Sequence, residues 1–449
     1  MERVSRRRYL AAIGAAAGVS GVFMAGCGRL GSADERAAPL PAKRMRPGTT
    51  LTLRSYIGNE ALLNEVNHLW AAKHPDITLT HAFSRAAEIT EKLIGEIAAG
   101  TPVDVAMSGY RNVPALQRHL ANLEPYARRD RFALQEFVPA AVNQYRYGAG
   151  QYALPNSFPV RVGVYNATLF AERGVALPPS TWDAPGWTWN DFVDATRALN
   201  TPRADPPAWA VGWDKAAGRP NLLQVILFCN NNGGAFLRED GKECLLTQPR
   251  SREALQFMQD LIQRHHVAPV PETLAQPGAD LFIQGRVAWA SFGPASVARY
   301  RQTITFDWAV SPLPLGAGAK QRSTIMDGSA WMMLDAAPNK EEAWELVQTL
   351  VSPEYERAAG QLVGYVPPRR ALMADYASSA PPKHFRMLLE ASERTYLIPT
   401  TPWIAEADST LAPLLEELWA AKSSANTVAE EAKRLLDPIL QRDFSFKTT

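Results

Sequence analysis

Residues 49–56 alternate between polar and apolar side chains, the period of a half-buried strand. Residues 59–73 then carry Leu62, Leu63, Val66, Leu69 and Trp70 at helical spacing, and Pro75 ends the run. Residues 77–80 read as a second strand, 88–99 as a helix stopped by Gly100, and 103–107 as a short buried strand. Strand and helix in this order predict an α/β fold with a mainly parallel sheet. Ligands of such sheets bind beyond the carboxyl ends of the strands. Tyr56, Ser108, Gly109 and Tyr110 are therefore site candidates on topology alone. Farther on, 152–155 and 160–165 read as extended segments around a proline turn, and 189–199 and 251–264 as helices. Residues 282–290 read as a turn entering a strand, and 308–312 and 330–334 as strands. Three more helices are predicted over 340–350, 411–419 and 427–440, the first with Ala343, Trp344, Val347 and Leu350 on one side.

The N-terminus breaks this pattern. Arg3, Arg6, Arg7 and Arg8 precede an uncharged run from 9 to 26, a basic region followed by an apolar one, as in an export signal. Four Gly and six Ala make that run weakly hydrophobic for a spanning helix. Residues 5–10, Ser-Arg-Arg-Arg-Tyr-Leu, resemble a twin-arginine motif with Tyr where Phe is commoner; an ordinary signal with extra arginine stays open. Met24-Ala25-Gly26-Cys27 resembles a lipoprotein processing box, with Met where Leu is usual. Cys27 is then the lipidation site, and two acyl chains hold a protein to a membrane without a spanning helix. Residues 1–27 form the signal peptide, and 28–47, with Gly31, Pro39, Pro41 and Pro47, a flexible tether outside the fold.

Composition narrows the field further. A chain of 449 residues suggests two or three domains. Lys and Arg (47) nearly balance Asp and Glu (45), which leaves no electrostatic footprint for nucleic acid. Cys229 and Cys244 flank a short hairpin-like stretch, so a disulfide and a pair of buried thiols are equally open. There is no nucleotide-binding glycine motif, no nucleophile elbow and no metal-binding histidine pattern, and no cofactor or metal is expected. His265 and His266 are neighbours, which a helix would point about 100° apart. The pairs Glu341-Glu342 and Glu416-Glu417 read as solvated charges.

Several segments together resemble one family, the extracellular solute-binding proteins of family 1 that serve carbohydrate importers. They are His74-Pro75-Asp76-Ile77, the stretch 98–105 (AAGTPVDV), Gly150 to Pro155, and 164–182 with Tyr165-Asn166, Leu169-Phe170 and Pro178-Pro179-Ser180-Thr181-Trp182. Asn232-Gly233-Gly234, 282–289 (FIQGRVAW), 308–314 (WAVSPLP) and 364–369 (GYVPPR) continue the series. Val164 stands where the family has a first Tyr, and Trp289 where it has Met. The resemblance implies a two-lobed, periplasmic-binding-protein-like (type II) fold with hinge-connected lobes. Lobe one would comprise 48–157 plus 281–326, and lobe two 158–280 plus 331–449. It implies a monomeric receptor that takes a sugar or oligosaccharide in the cleft, closes by hinge motion and delivers it to the permease subunits of an ABC transporter. Carried over by position, its ligand-binding residues would be Tyr56, Asn59, Ser108, Gly109, Tyr110, Asn156, Phe158, Asn221, Phe292, Gly293, Asp327, Gly328 and Trp403.

Two other readings keep their place. Glycan-cleaving enzymes carry carboxylates without a short signature, so a surface lipoprotein enzyme is not excluded by missing motifs. Arg111, Arg161 and Arg369 leave room for an anionic solute such as a phosphorylated polyol.

Overall fold

The computed structural model describes residues 40–201, 208–213, 220–270 and 280–446. The expected export signal over residues 1–27, with Cys27, and residues 28–39 of the expected tether lie outside them. In chain order the strands are β1 (Thr50–Ser55), β2 (Thr78–Phe83), β3 (Val105–Gly109), β4 (Arg146–Tyr147), β5 (Gly150–Gln151), β6 (Leu154–Pro155) and β7 (Val162–Asn166). They continue with β8 (Trp209–Gly212), β9 (Val287–Phe292), β10 (Trp308–Ser311), β11 (Thr324–Ile325), β12 (Ser329–Met333) and β13 (Thr395–Tyr396).

Two sheets organise the chain. The first has the order β2-β1-β3-β12-β6, the second β10-β7-β9-β8. β1 runs parallel to β2 and β3, as the strand-helix-strand pattern predicts. Between β1 and β2 the helix Glu60–Lys73 buries Leu62, Val66 and Trp70. Asn59 starts that helix: its Oδ1 accepts a hydrogen bond from the Leu62 amide at 2.9 Å, one of the four donors a helix start leaves open. The sheet is completed by β12 and β6, which are antiparallel additions. β7 is the centre of the second sheet, antiparallel to both β9 and β10.

This topology corrects the lobe boundaries. β9 and β10 belong with β7 in the second sheet, although residues 281–326 were expected in lobe one. Conversely β12 closes the first sheet, and the helices Lys340–Thr349 and Pro353–Val363 pack on it. Trp344, Val347 and Tyr355 share one apolar cluster with Leu51, Leu53 and Val105. The physical reason is that β9, β10 and β12 are buried along their whole length. A run buried on both faces has no alternation to say which neighbours it joins.

Part of the stretch expected as a tether, residues 40–47, lies within the described structure. Residues 40–47 form no helix or strand, yet they are fastened to the body. The Arg46 amide donates to Glu342 Oε1 at 2.7 Å, and its guanidinium reaches Asn339 Oδ1 at 2.6 Å. Lys43 pairs with Glu345, and Leu40 and Met45 pack against the first-sheet cluster. Cross-chain charge complementarity of this kind leaves no local periodicity to read.

Among the described residues the chain passes between the two halves at 156–161, 326–328 and 364–369. The crossings bond to one another. The Asn156 amide donates to Ser329 O (2.8 Å), Phe158 to Val366 O (2.9 Å), Arg161 to Ile325 O (3.1 Å) and Asp327 to Pro159 O (3.2 Å). Buried Asn156 ties them with its side chain. Its Nδ2 donates to Ser329 Oγ at 3.0 Å, while its Oδ1 accepts from Trp331 Nε1 at 3.0 Å and from the Tyr355 hydroxyl at 2.8 Å. Gly328 is required here, because a Cβ would stand 2.4 Å from Ser157 O.

Cys229 and Cys244 are free thiols, both buried, so the disulfide alternative is not realised in this fold. The hairpin-like turn is present: Leu237 bridges Cys244 in antiparallel fashion. Cys229 Sγ instead donates to Ser251 O at 3.8 Å. Burial pushes both thiols up to about 12.

Two predictions follow from this packing. At neutral pH neither thiol is ionised, and the thiolate is the reactive form. Both are expected to resist iodoacetamide in the native protein and to alkylate in denaturant, read by intact mass. Asn156→Leu orphans the Tyr355 hydroxyl and the Trp331 indole, each costing about 1–3 kcal/mol. Urea unfolding is expected to show a loss of roughly 2–5 kcal/mol; a loss under 1 kcal/mol would mean that the Asn156 bonds do not hold the crossings together.

Candidate functional site

The carboxyl ends of β1 and β3 and the second crossing meet at one place. Tyr56 follows β1, and its hydroxyl meets Ser329. Burial pushes that hydroxyl well above the usual range, and the bond to Ser329 only partly opposes the shift. At the end of β3, Gly109 has nothing within 4 Å of where a Cβ would point, so the backbone there faces open space. Tyr110 is buried, with its amide donating to Gly328 O at 3.1 Å. Its hydroxyl accepts from Arg111 Nε at 3.1 Å. Burial raises this phenol to about 12, against the neighbouring Arg111 charge.

Two ion pairs frame the place. Arg161, only 3% exposed and leading into β7, holds Asp327 at 2.9 Å. Arg111, following β3, pairs with Asp408 on the helix Ile404–Trp419. That helix packs on the second-sheet side, against the helices Leu222–Asn230 and Pro249–Gln263, and Trp419 Nε1 donates to Pro220 O at 3.0 Å. The Arg111–Asp408 pair therefore spans the two halves. Asp327 acts electrostatically on both Tyr110 and Asp408. Burial raises the Asp408 carboxyl, with Arg111 opposing. The place thus holds two guanidinium groups, two carboxylates and the phenols Tyr56 and Tyr110. It offers donors and acceptors in nearly equal number. Such a set suits a ligand with many hydroxyls, each of which donates and accepts.

Other expected contacts lie elsewhere. Asn59 and Asn221 are helix caps. Asn221 Oδ1 accepts from the Leu223 amide at 2.9 Å within a capping box whose partner is Gln224. Asn156 is committed to the crossing, and its polar atoms are used. Phe158 and Phe292 are core residues, the latter against Tyr300 and Trp308. Gly293 lies beside the Arg161 guanidinium, 3.7 Å from where its Cβ would be. Ser108 is wholly buried, and its Oγ has no hydrogen-bond partner in the structure. Trp403 stands at the start of the helix that carries Asp408, half-buried.

Asp408 was not foreseen. The helix expected over 411–419 spans Ile404–Trp419, with Pro413 inside it, and Asp408 lies in the added turns. Of the three arginines set aside for an anionic solute, Arg111 and Arg161 are at the site. Arg369 instead bonds the Val351 carbonyl and Glu356 at the third crossing. Among the described residues no cluster of His, Cys, Asp and Glu could hold a metal ion, and no helix is long and apolar enough to cross a membrane.

Compared with known proteins, residues 49–357 match the family described as bacterial extracellular solute-binding protein. A putative binding protein of Brucella abortus (strain 2308) is 24% identical over 394 residues, covering 84% of this chain and 89% of its own. The arabinooligosaccharide-binding protein of Halalkalibacterium halodurans is 25% identical over 285 residues, 60% of this chain and 59% of its own. Among solved structures, an ABC substrate-binding protein of Listeria monocytogenes in complex with cycloalternan superposes with a TM-score of 0.76. Its identity is 21%, covering 87% of this chain and 98% of that one. That likeness is one of fold: two lobes of α/β architecture joined by crossings.

Proposed function

The chain belongs to the bacterial extracellular solute-binding protein family, and we propose that it is the receptor of an ABC importer for a neutral sugar or oligosaccharide. The observation that carries this is the pairing of Arg111 with Asp408 and of Arg161 with Asp327 at the meeting of the two halves. Sugar hydroxyls donate to the carboxylates and accept from the guanidinium groups, and charge-assisted bonds of this kind are the strong ones. The half-buried rings of Tyr56 and Trp403 supply apolar faces for the ring carbons. An anionic solute fits less well. Each guanidinium already has its carboxylate, so a further negative charge would sit beside Asp327 and Asp408 uncompensated. Binding between the halves favours closure because only the closed form offers both sets of contacts. The permease would then read the closed shape. No bond in the solute is made or broken. The relatives named for an arabinooligosaccharide and for cycloalternan support the ligand class.

The same reading includes a lipid on Cys27 and a stay on the outer side of the cell membrane. The basic start, the uncharged run and the Met24–Cys27 box support it. Radiolabelled palmitate is expected to enter the wild-type chain in cells and to be absent from Cys27→Ser. Equal labelling of both would end the anchoring proposal.

For the ligand, a melting-temperature screen against neutral saccharides and glycerol phosphate is expected to give an upward shift with a saccharide alone, with no new product after prolonged incubation. Asp408→Ala and Arg111→Ala should each weaken that saccharide roughly 10- to 100-fold, since bonds to charged groups are worth about 1.5–3 kcal/mol. A shift with glycerol phosphate and none with any saccharide would transfer the assignment to an anionic solute. Cleavage of the saccharide would make the protein an enzyme.

A further inference from the structure

Beyond the helix Ala425–Leu440, the chain does not simply trail off. Arg442 turns back to the helix Ile404–Trp419 and grips Glu406 through two bonds of 2.7 and 2.9 Å. Its guanidinium lies over the Trp403 ring, 5.4 Å from the centroid. Phe444 meets Trp403 edge-on at 6.1 Å. These contacts belong to the second-sheet side.

The next residues belong to the other side. The Arg118 guanidinium covers the Phe444 ring at 4.6 Å. It also donates to Ser445 O at 3.0 Å and to Ser445 Oγ at 3.1 Å. Phe446 stacks on Tyr147 of β4, with centroids 5.0 Å apart and planes 7° from parallel. Phe444 and Phe446 brace each other edge-on at 5.0 Å. β4 immediately follows Tyr145, whose buried hydroxyl feels both Tyr147 and Asp327. The segment 442–446 thus reaches both halves beside Trp403: Arg442 and Phe444 hold the second-sheet side, and Phe444, Ser445 and Phe446 the first.

We propose that residues 442–446 are an interlobe strap, which ties the two halves together beside Trp403 and biases them toward each other. Each ring contact is modest, but offset and edge-on aromatic pairs and a guanidinium over a ring add to plain burial. Two halves already held close have less freedom to lose when a solute arrives. The apparent affinity of a ligand scales with the fraction of molecules in the binding-competent form, so the strap raises it. The tie itself stands without the transport reading; only its effect on affinity rests on that reading.

Hydrogen exchange of the full-length chain, with no ligand added, tests the strap. Phe446→Ser removes the stack on Tyr147, and Arg118→Ala removes the cover of Phe444 and the bonds to Ser445. Arg118 is exposed and Phe446 half-buried, so neither change opens the core. In both variants, amides of 145–152 and 403–408 are expected to exchange about five- to thirty-fold faster, the factor set by losing one or two contacts of this size. Amides of the helix Glu60–Lys73 should keep their rates. Unchanged exchange at 145–152 and 403–408, or equal acceleration throughout the chain, overturns the strap. The saccharide screen can fail while this exchange pattern holds, so the two proposals fall separately.

Discussion

The side chain of Asn156 makes three hydrogen bonds where the chain passes between its two sheets. Two go to β12, at Ser329 and Trp331, and the third to Tyr355 on the helix leading to the third crossing. Water cannot substitute there, since Asn156 is 2% exposed. An amide is the side chain that both donates and accepts from one planar group, and both capacities are used. Backbone bonds between the crossings make them a single small unit, while each sheet keeps its own packing. Rotation of one half about the other is therefore confined to the dihedral angles of a few residues near 156–161, 326–328 and 364–369, as hinge motion requires.

Against that fixed axis the charges take on meaning. Arg161 and Asp327 sit on two crossings that are bonded to each other by Arg161 N–Ile325 O and Asp327 N–Pro159 O. Arg111 and Asp408 sit on opposite halves, so their pairing depends on how close the halves stand. With side-chain exposures of 24% and 28%, neither is sealed from water. Such a partly screened pair is worth little by itself. That suits a contact that must form and part repeatedly, whereas a deeply buried pair would cost several kcal/mol to break.

The sequence was a good guide wherever local periodicity decides the outcome. The order of β1, the helix Glu60–Lys73, β2 and β3 is written in alternation and 3.6-residue spacing, and Tyr56 and Tyr110 do follow the carboxyl ends of β1 and β3 as expected. It was a poor guide to partners distant in sequence. β9 and β10, buried on both faces, carry no sign of which sheet they join. Asn59 and Asn221 look like exposed amides on a string of letters, yet a cap and a ligand contact ask for the same side chain. Arg46 and Lys43 lie in a stretch composed like a linker, and the carboxylates that hold them are some 300 residues away. Asp408 lies in the turns of the helix Ile404–Trp419 that precede the expected stretch 411–419.

The hinge and the site are not separate devices. The Tyr56 hydroxyl meets Ser329, and Ser329 Oγ accepts from Asn156 Nδ2. Asn156 in turn holds Tyr355. A group that hydrogen-bonds Tyr56 therefore competes for the same hydroxyl that reaches the crossing, two bonds from the axis itself. Gly328 sharpens this arrangement. With Ser157 O 2.4 Å from its missing Cβ, the second crossing can lie against the first only as glycine. That contact brings Asp327 onto Arg161 and sets Gly328 O under the Tyr110 amide. The close approach of the two crossings thus also fixes where Arg161, Asp327 and the Tyr110 amide stand.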